Sequence, residues 1–149
     1  MSPSDSIQAV LDQKQRQVWS VSPRATVYEA ITIMSEHQVG ALPVVEDGRL
    51  VGMLSERDYA RKVILQGRSS KETEVAEIMS THVITIAPDD TVEDGMRLMT
   101  EHRVRHLPVI VGGKLAGIVS IGDLVNWVIS AHQEEIHHLK TYIAAPYPG

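Results

Sequence analysis

The chain is internally duplicated, and the duplication constrains its architecture more than any other feature. The stretch that starts at Ser22 aligns without a gap on the stretch that starts at Ala87, a displacement of 65 positions. Pro23 matches Pro88, Thr26–Val27 match Thr91–Val92, Met34 matches Met99, and Glu36–His37 match Glu101–His102. Val39 matches Val104, and Leu42–Pro43–Val44 match Leu107–Pro108–Val109. Gly48, Leu50, Gly52, Ser55 and Asp58 match Gly113, Leu115, Gly117, Ser120 and Asp123. Two unrelated amphipathic segments would not hold that register.

Each unit carries the same local signals. A short β-branched strand is expected at Val18–Val21 and again at Val83–Ile86, followed by Pro and then by a Thr placed to cap a helix. Val27, Ala30, Ile31 and Met34 recur at helical spacing, as do Val92, Gly95, Met96 and Met99, and both helices end near a His. Two strands joined by a tight turn follow: Ala41–Val45 and Arg49–Leu54 about Asp47–Gly48, then Leu107–Val111 and Lys114–Val119 about Gly112–Gly113. A second helix opens at Ser55 and at Ser120. The fold class is therefore α/β (α+β), with two β-α-β-β-α repeats packed as a pseudo-two-fold pair plus extra terminal helices. One repeat alone would bury too little surface, whereas two can share a core.

The expected organisation is a helical extension at 1–16, repeat 1 at 17–65, a polar linker at 66–76, repeat 2 at 77–130, and a helix end and tail at 131–149. The last helix should run from Ile121 to about Tyr142, before the Pro-rich end. Its Val125, Val128, Ile129 and Ile136 need cover, which points to pairing of helices in a homodimer.

This pattern resembles the tandem cystathionine-β-synthase (CBS) domain pair, over roughly residues 18–130. Gly52-Met53-Leu54-Ser55-Glu56-Arg57-Asp58 and Gly117-Ile118-Val119-Ser120-Ile121-Gly122-Asp123 match that family's nucleotide signature, each behind a Leu-Pro-Val strand at the same distance. The chemistry suits a strand-to-helix junction. Gly lets the chain approach a ligand closely. Ser55 and Ser120 sit where unsatisfied N–H groups and the helix dipole favour an anion. Asp58 and Asp123 lie one turn on, where a carboxylate can accept two hydrogen bonds from a ribose diol. The plainer alternative is that Ser is an N-cap and Asp a favourable first-turn charge.

The resemblance also implies basic side chains near the phosphates, just before the Leu-Pro step and one turn after the motif Asp. Arg105 and His106 fill the first place in repeat 2, where repeat 1 has Gly40 and Ala41. Arg57 and Arg61 lie on the second helix of repeat 1, with Arg61 three residues past Asp58 on the same face. Ser20, Ala41 and Thr85 are the implied adenine pocket. The implied ligand is an adenine nucleotide (AMP, ADP, ATP or NAD(H)), taken in clefts between repeats. With no fused effector domain expected, its output would pass through dimer rearrangement or a separate effector protein. A scaffold without a working ligand site, or a sensor of S-adenosylmethionine, is the alternative; the latter ligand lacks phosphates and would leave Arg57, Arg61, Arg105 and His106 without that purpose.

Composition narrows the other classes. Fourteen Lys+Arg against 19 Asp+Glu leave a net charge of −5, with two Trp, four Tyr and no Phe. That balance argues against nucleic-acid binding, which needs cations and stacking platforms. The absence of Cys excludes thiol catalysis and Cys-based zinc sites. No catalytic constellation is visible, so a non-enzyme is expected. His37 and His102 suit helix C-termini, and His132, His137 and His138 lie on the polar side of the last helix without an HExxH pair, so no metal is expected. The methionines at 34, 53, 79, 96 and 99 occupy core-type positions, Trp19 fits a core or a purine pocket, and Trp127 a core or dimer interface. No apolar leader or spanning run is present, so a cytoplasmic location without membrane contact is expected.

Overall fold

A computed structural model describes residues 1–14 and 17–144, with side-chain surroundings given as far as residue 133. The order is α1 (Ile7–Lys14), α2 (Val27–His37), β1 (Ala41–Glu46), β2 (Arg49–Ser55), α3 (Glu56–Tyr59), a π turn (Ala60–Ile64), α4 (Val75–Ile78), α5 (Val92–His102), β3 (His106–Val111), β4 (Lys114–Ser120) and α6 (Ile121–Ala144). The strands form one sheet in the order β1-β2-β4-β3. The side chains of Ile136, His137, His138 and Tyr142 lie outside the described residues.

The duplicated signals produce duplicated caps. Thr26 Oγ1 accepts the Glu29 N–H at 3.1 Å while Glu29 Oε2 accepts the Thr26 N–H at 3.3 Å. Thr91 and Asp94 repeat the arrangement at 3.0 and 3.0 Å. These reciprocal bonds satisfy orphan donors at each helix start. Both helices end on a left-handed residue, Gln38 (φ 53°) and Arg103 (φ 55°), and the next N–H turns back to the Met34 or Met99 carbonyl. The hairpins turn through Asp47–Gly48 and Gly112–Gly113, all at positive φ, as a twisted two-residue hairpin requires.

The chain divides into two compact units: Arg16–Thr85 with Pro108–Ile118, and Met1–Gln15 with Ile86–Leu107 and Val119–Gly149. In the first unit, Val27, Ala30 and Met34 from α2 pack with Leu42 and Val44 of β1, Leu54 of β2, Val63, Val75 and Ile78. Each fully buried large side chain among them contributes about 1.5–3 kcal/mol relative to exposure. In the second unit, Ile7 and Val10 of α1, Val92 and Met99 of α5, and Leu124, Trp127 and Ala131 of α6 are buried. The Trp127 indole N–H donates to the Ser2 carbonyl at 3.0 Å, so this residue is core.

One expectation is corrected, and two local features are added to it. The strands at Val18–Val21 and Val83–Ile86 shrink to the single bridging residues Val21 and Ile86. Val21 pairs with β1 through Val21 N–H to the Pro43 carbonyl (3.1 Å) and Val45 N–H to the Val21 carbonyl (2.9 Å). Pro23 and Pro88, two residues on, bar the ladder only on the far side of the bridge; on the near side Val18 and Ser20 are exposed and Trp19 is stacked on His37. The polar stretch 66–76, expected as the linker, is tied to α2 and the turn before it. Val75 N–H donates to the Ala25 carbonyl and Val27 N–H to the Thr73 carbonyl, Thr73 is 2% exposed, and α4 begins inside the stretch. The helix after Ser55 changes to π geometry at Ala60, with Leu65 N–H donating to the Ala60 carbonyl at 3.0 Å.

Candidate functional site

Both signature motifs sit where a strand turns into a helix, and both close the same ring. Asp58 N–H donates to Ser55 Oγ at 3.1 Å, and Asp58 Oδ2 accepts the Ser55 N–H at 3.0 Å. Asp123 N–H donates to Ser120 Oγ at 3.1 Å, and Asp123 Oδ2 accepts the Ser120 N–H at 2.8 Å. The strand before each helix is also pinned. Glu56 N–H donates to the Gly40 carbonyl at 3.0 Å, and Ile121 N–H donates to the Arg105 carbonyl at 2.8 Å. Gly40 and Arg105 are repeat-equivalent, so Arg105 is one backbone bond from the helix start of the second motif.

The two carboxylates differ in their cations. Lys62 Nζ lies 3.2 Å from Asp58 Oδ1 and donates to the Ile78 carbonyl at 2.9 Å. Lys14 Nζ, at the end of α1, lies 2.7 Å from Asp123 Oδ2. Burial pushes the Asp123 carboxyl up, but the bonds from Lys14 and Ser120, and the charge of Lys14, outweigh it and hold it below the ordinary value of 3.8.

The expected site residues separate cleanly. Ser55, Asp58, Arg57, Arg61, Ser20, Ala41 and Thr85 belong to one unit, and Ser120, Asp123, Arg105 and His106 to the other. Ala41 stands directly opposite Ser55 in the β1–β2 register. Ser20 and Thr85 are exposed, each one residue before a bridging position, and Arg57 and Arg105 are exposed. His106 is half-buried at the start of β3. Lys62, the next residue after Arg61, is the cation on Asp58. Arg61 instead lines a depression of about 460 Å³ with Lys62, Gln66, Arg68, Glu77 and Ile78. Arg68 is bonded to Glu77 at 2.6 Å.

The sequence patterns pick out none of Lys14, Lys62 and Arg68. The Asp-x-x-x-Lys spacing from Asp58 to Lys62 is a usable signal, whereas nothing local points to Lys14, 109 residues from Asp123. Gly52 also has a second reason to be glycine: a Cβ there would lie 2.7 Å from Met79 Sδ and 2.9 Å from the Ser80 carbonyl oxygen. Trp19 stacks on His37 with ring centroids 3.5 Å apart. Among the described residues no group of three or more His, Cys, Asp or Glu is placed to hold a metal ion, and no helix is long and apolar enough to cross a membrane.

The CBS domain family model matches residues 14–64 and again residues 75–130. The chain belongs to the CBS-domain family. It is 48% identical over 127 residues to the mitochondrial CBS domain-containing protein CBSX3 of Arabidopsis thaliana, covering 82% of this chain and 62% of that one. The CBS pair thus spans less than two thirds of that relative. Among solved structures, a signal-transduction protein with CBS domains from Burkholderia ambifaria matches at 47% identity and a TM-score of 0.81, over 85% of this chain and 95% of that one. A CBS domain pair solved with 5′-methylthioadenosine and S-adenosyl-L-methionine shares the fold at 24% identity and a TM-score of 0.76, over 85% of this chain and 98% of that one.

Proposed function

We propose that this CBS pair is a regulatory, non-catalytic sensor of adenosine-containing molecules, with AMP, ADP, ATP or NAD(H) as the ligand class. Asp58 and Asp123 would anchor ribose diols. Arg105 and His106 would serve phosphates at one motif, and Arg57 and Arg61 at the other. The observation that carries the reading is the repeated Ser–Asp ring. In it the Ser side chain takes one first-turn N–H, and each carboxylate commits Oδ2 to the N–H of the capping Ser. An oriented carboxylate therefore stands one turn inside each helix start, and in the second motif that start is one backbone bond from Arg105.

Ligand binding would act by favouring one arrangement of the protein, or of an effector, over another. A homodimer is part of the reading: Val125 and Ile129, four residues apart on α6, are 36% and 47% exposed. Sedimentation should show a dimer at micromolar concentration, and a monomer with and without ligand counts against it.

The deciding experiment is calorimetric titration of the purified protein with AMP, ATP, NADH and S-adenosylmethionine. Saturable heat with a phosphate-bearing adenylate supports the reading. Heat with S-adenosylmethionine alone moves the ligand class, and no heat with any of the four favours a scaffold.

A further inference from the structure

In the second motif the ribose anchor is already engaged. Asp123 Oδ2 receives the Ser120 N–H at 2.8 Å and Lys14 Nζ at 2.7 Å, which fills both lone pairs of that oxygen. Oδ1 can take one hydroxyl, but a diol chelating across both oxygens needs a place on Oδ2. The backbone bond from Ser120 belongs to the helix cap. The movable donor is Lys14.

The fold separates the anchoring of α1 from the reach of Lys14. The front of the helix is fixed: Ile7 is 0% and Val10 4% exposed, Ile7 N–H donates to the Asp90 carbonyl at 2.8 Å, and Val92 N–H donates to the Asp5 carbonyl at 2.9 Å. Lys14 lies two turns beyond Ile7, on a four-carbon stem that can swing without undocking those residues. The ion pair is part-shielded, with side-chain exposures of 22% and 20%. In the other motif Asp58 Oδ2 takes both its donors from Ser55, the N–H and the hydroxyl at 3.0 Å each. Lys62, on the same helical stretch and 45% exposed, touches Oδ1 at 3.2 Å, so among the described residues none from α1 holds that carboxylate.

We propose that Lys14 is an affinity-setting latch on the second motif: it occupies Asp123 and must leave Oδ2 for a ribose diol to chelate the carboxylate. Ligand and the last turn of α1 thereby compete for one group, and binding at this motif is coupled to release of that turn. This rests on the reading of Asp123 as the ribose anchor.

The test is titration of wild type, Lys14→Met, Lys14→Gln and Asp123→Asn with adenosine and with AMP, each variant checked for an intact melting transition. Lys14→Met and Lys14→Gln should each tighten both ligands by about three- to ten-fold, the size of a part-exposed ion pair. In wild type, adding AMP should speed amide exchange in residues 11–14. Unchanged affinity for both ligands, or slower exchange on adding AMP, overturns the latch. Weaker AMP with unchanged adenosine overturns it too, and makes Lys14 a phosphate contact. If Asp123→Asn leaves adenosine binding intact, the ribose assignment itself fails, separately from the latch.

Discussion

Ser55 and Asp58 bind each other three times: the Asp58 N–H donates to Ser55 Oγ at 3.1 Å, and Asp58 Oδ2 accepts the Ser55 N–H and the Ser55 hydroxyl at 3.0 Å each. The division of labour inside this pair matters for function. Helix capping depends on the Asp58 backbone N–H and the Ser55 hydroxyl, with the carboxylate reaching back to the Ser55 backbone. The carboxylate is thus fixed in direction by a bond that is secondary for the cap. Ser120 and Asp123 repeat both backbone N–H bonds, so each signature motif presents an oriented acceptor at a helix start.

Arg105 should discriminate phosphate from its absence. Its carbonyl accepts the Ile121 N–H at 2.8 Å, a bond that Arg105→Ala keeps. Removing the guanidinium should weaken AMP by about 1.5–3 kcal/mol, the range for a hydrogen bond to a charged group. Adenosine should be little affected. Calorimetry with both ligands checks this, and equal losses would give Arg105 a different role.

Glycine substitutions should separate backbone crowding from side-chain crowding. Gly52→Ala places a Cβ 2.9 Å from the Ser80 carbonyl, which is tied to Met53 N–H, so relief requires the bridge to move. A loss of about 1–3 kcal/mol is expected. At Gly95 the nearest atom is Leu124 Cδ1 at 2.9 Å, the far end of a flexible side chain. There a helix-propensity gain of about 0.5–1 kcal/mol offsets the crowding, and Gly95→Ala should be near neutral. Urea denaturation of both variants measures the contrast.

The Lys14–Asp123 pair should appear in the acid limb of stability. The folded Asp123 carboxyl lies below its ordinary value of 3.8, so the unfolded chain binds the proton more readily there. The contribution is full above that ordinary value and is lost as pH falls through the lower folded one. Lys14→Met should therefore be less stable than wild type at pH 7, by on the order of 1 kcal/mol, with the gap closing towards pH 3. Denaturation midpoints across that range test the sign.

Much of this is legible in the sequence because it is local. Thr26, Thr91, Ser55 and Ser120 announce caps three residues ahead of an acidic partner, and Asp47–Gly48 and Gly112–Gly113 announce hairpins. What stays hidden is relational. The Val18–Val21 pattern is strand-like, yet only Val21 meets β1, because Trp19 turns to stack on His37 and Val18 and Ser20 stay exposed. The polar stretch before Val75 disguises bonds from Val75 and Ala76 to Ala25 and Pro23. Gly52 suggests room for a ligand, whereas Met79 and Ser80 crowd it from elsewhere in the chain. Lys14 meets Asp123 only because α1 docks beside α5 and α6, which no short-range pattern encodes.

Whether Asp58 and Asp123 hold ligand decides the functional reading, and calorimetry of AMP binding to Asp58→Ala, Asp123→Ala and the double variant measures it. Each substitution leaves the bond from the position-58 or position-123 N–H to the capping Ser in place, so fold and melting transition should survive with a loss of about 1–2 kcal/mol, which at position 123 includes the ion pair to Lys14. Each should weaken AMP by on the order of 1–3 kcal/mol. Asp123 should matter more, because Arg105 and His106 lie in its repeat. The expected result is a folded double variant with no measurable AMP heat; a double variant that binds AMP as tightly as wild type would contradict the assignment.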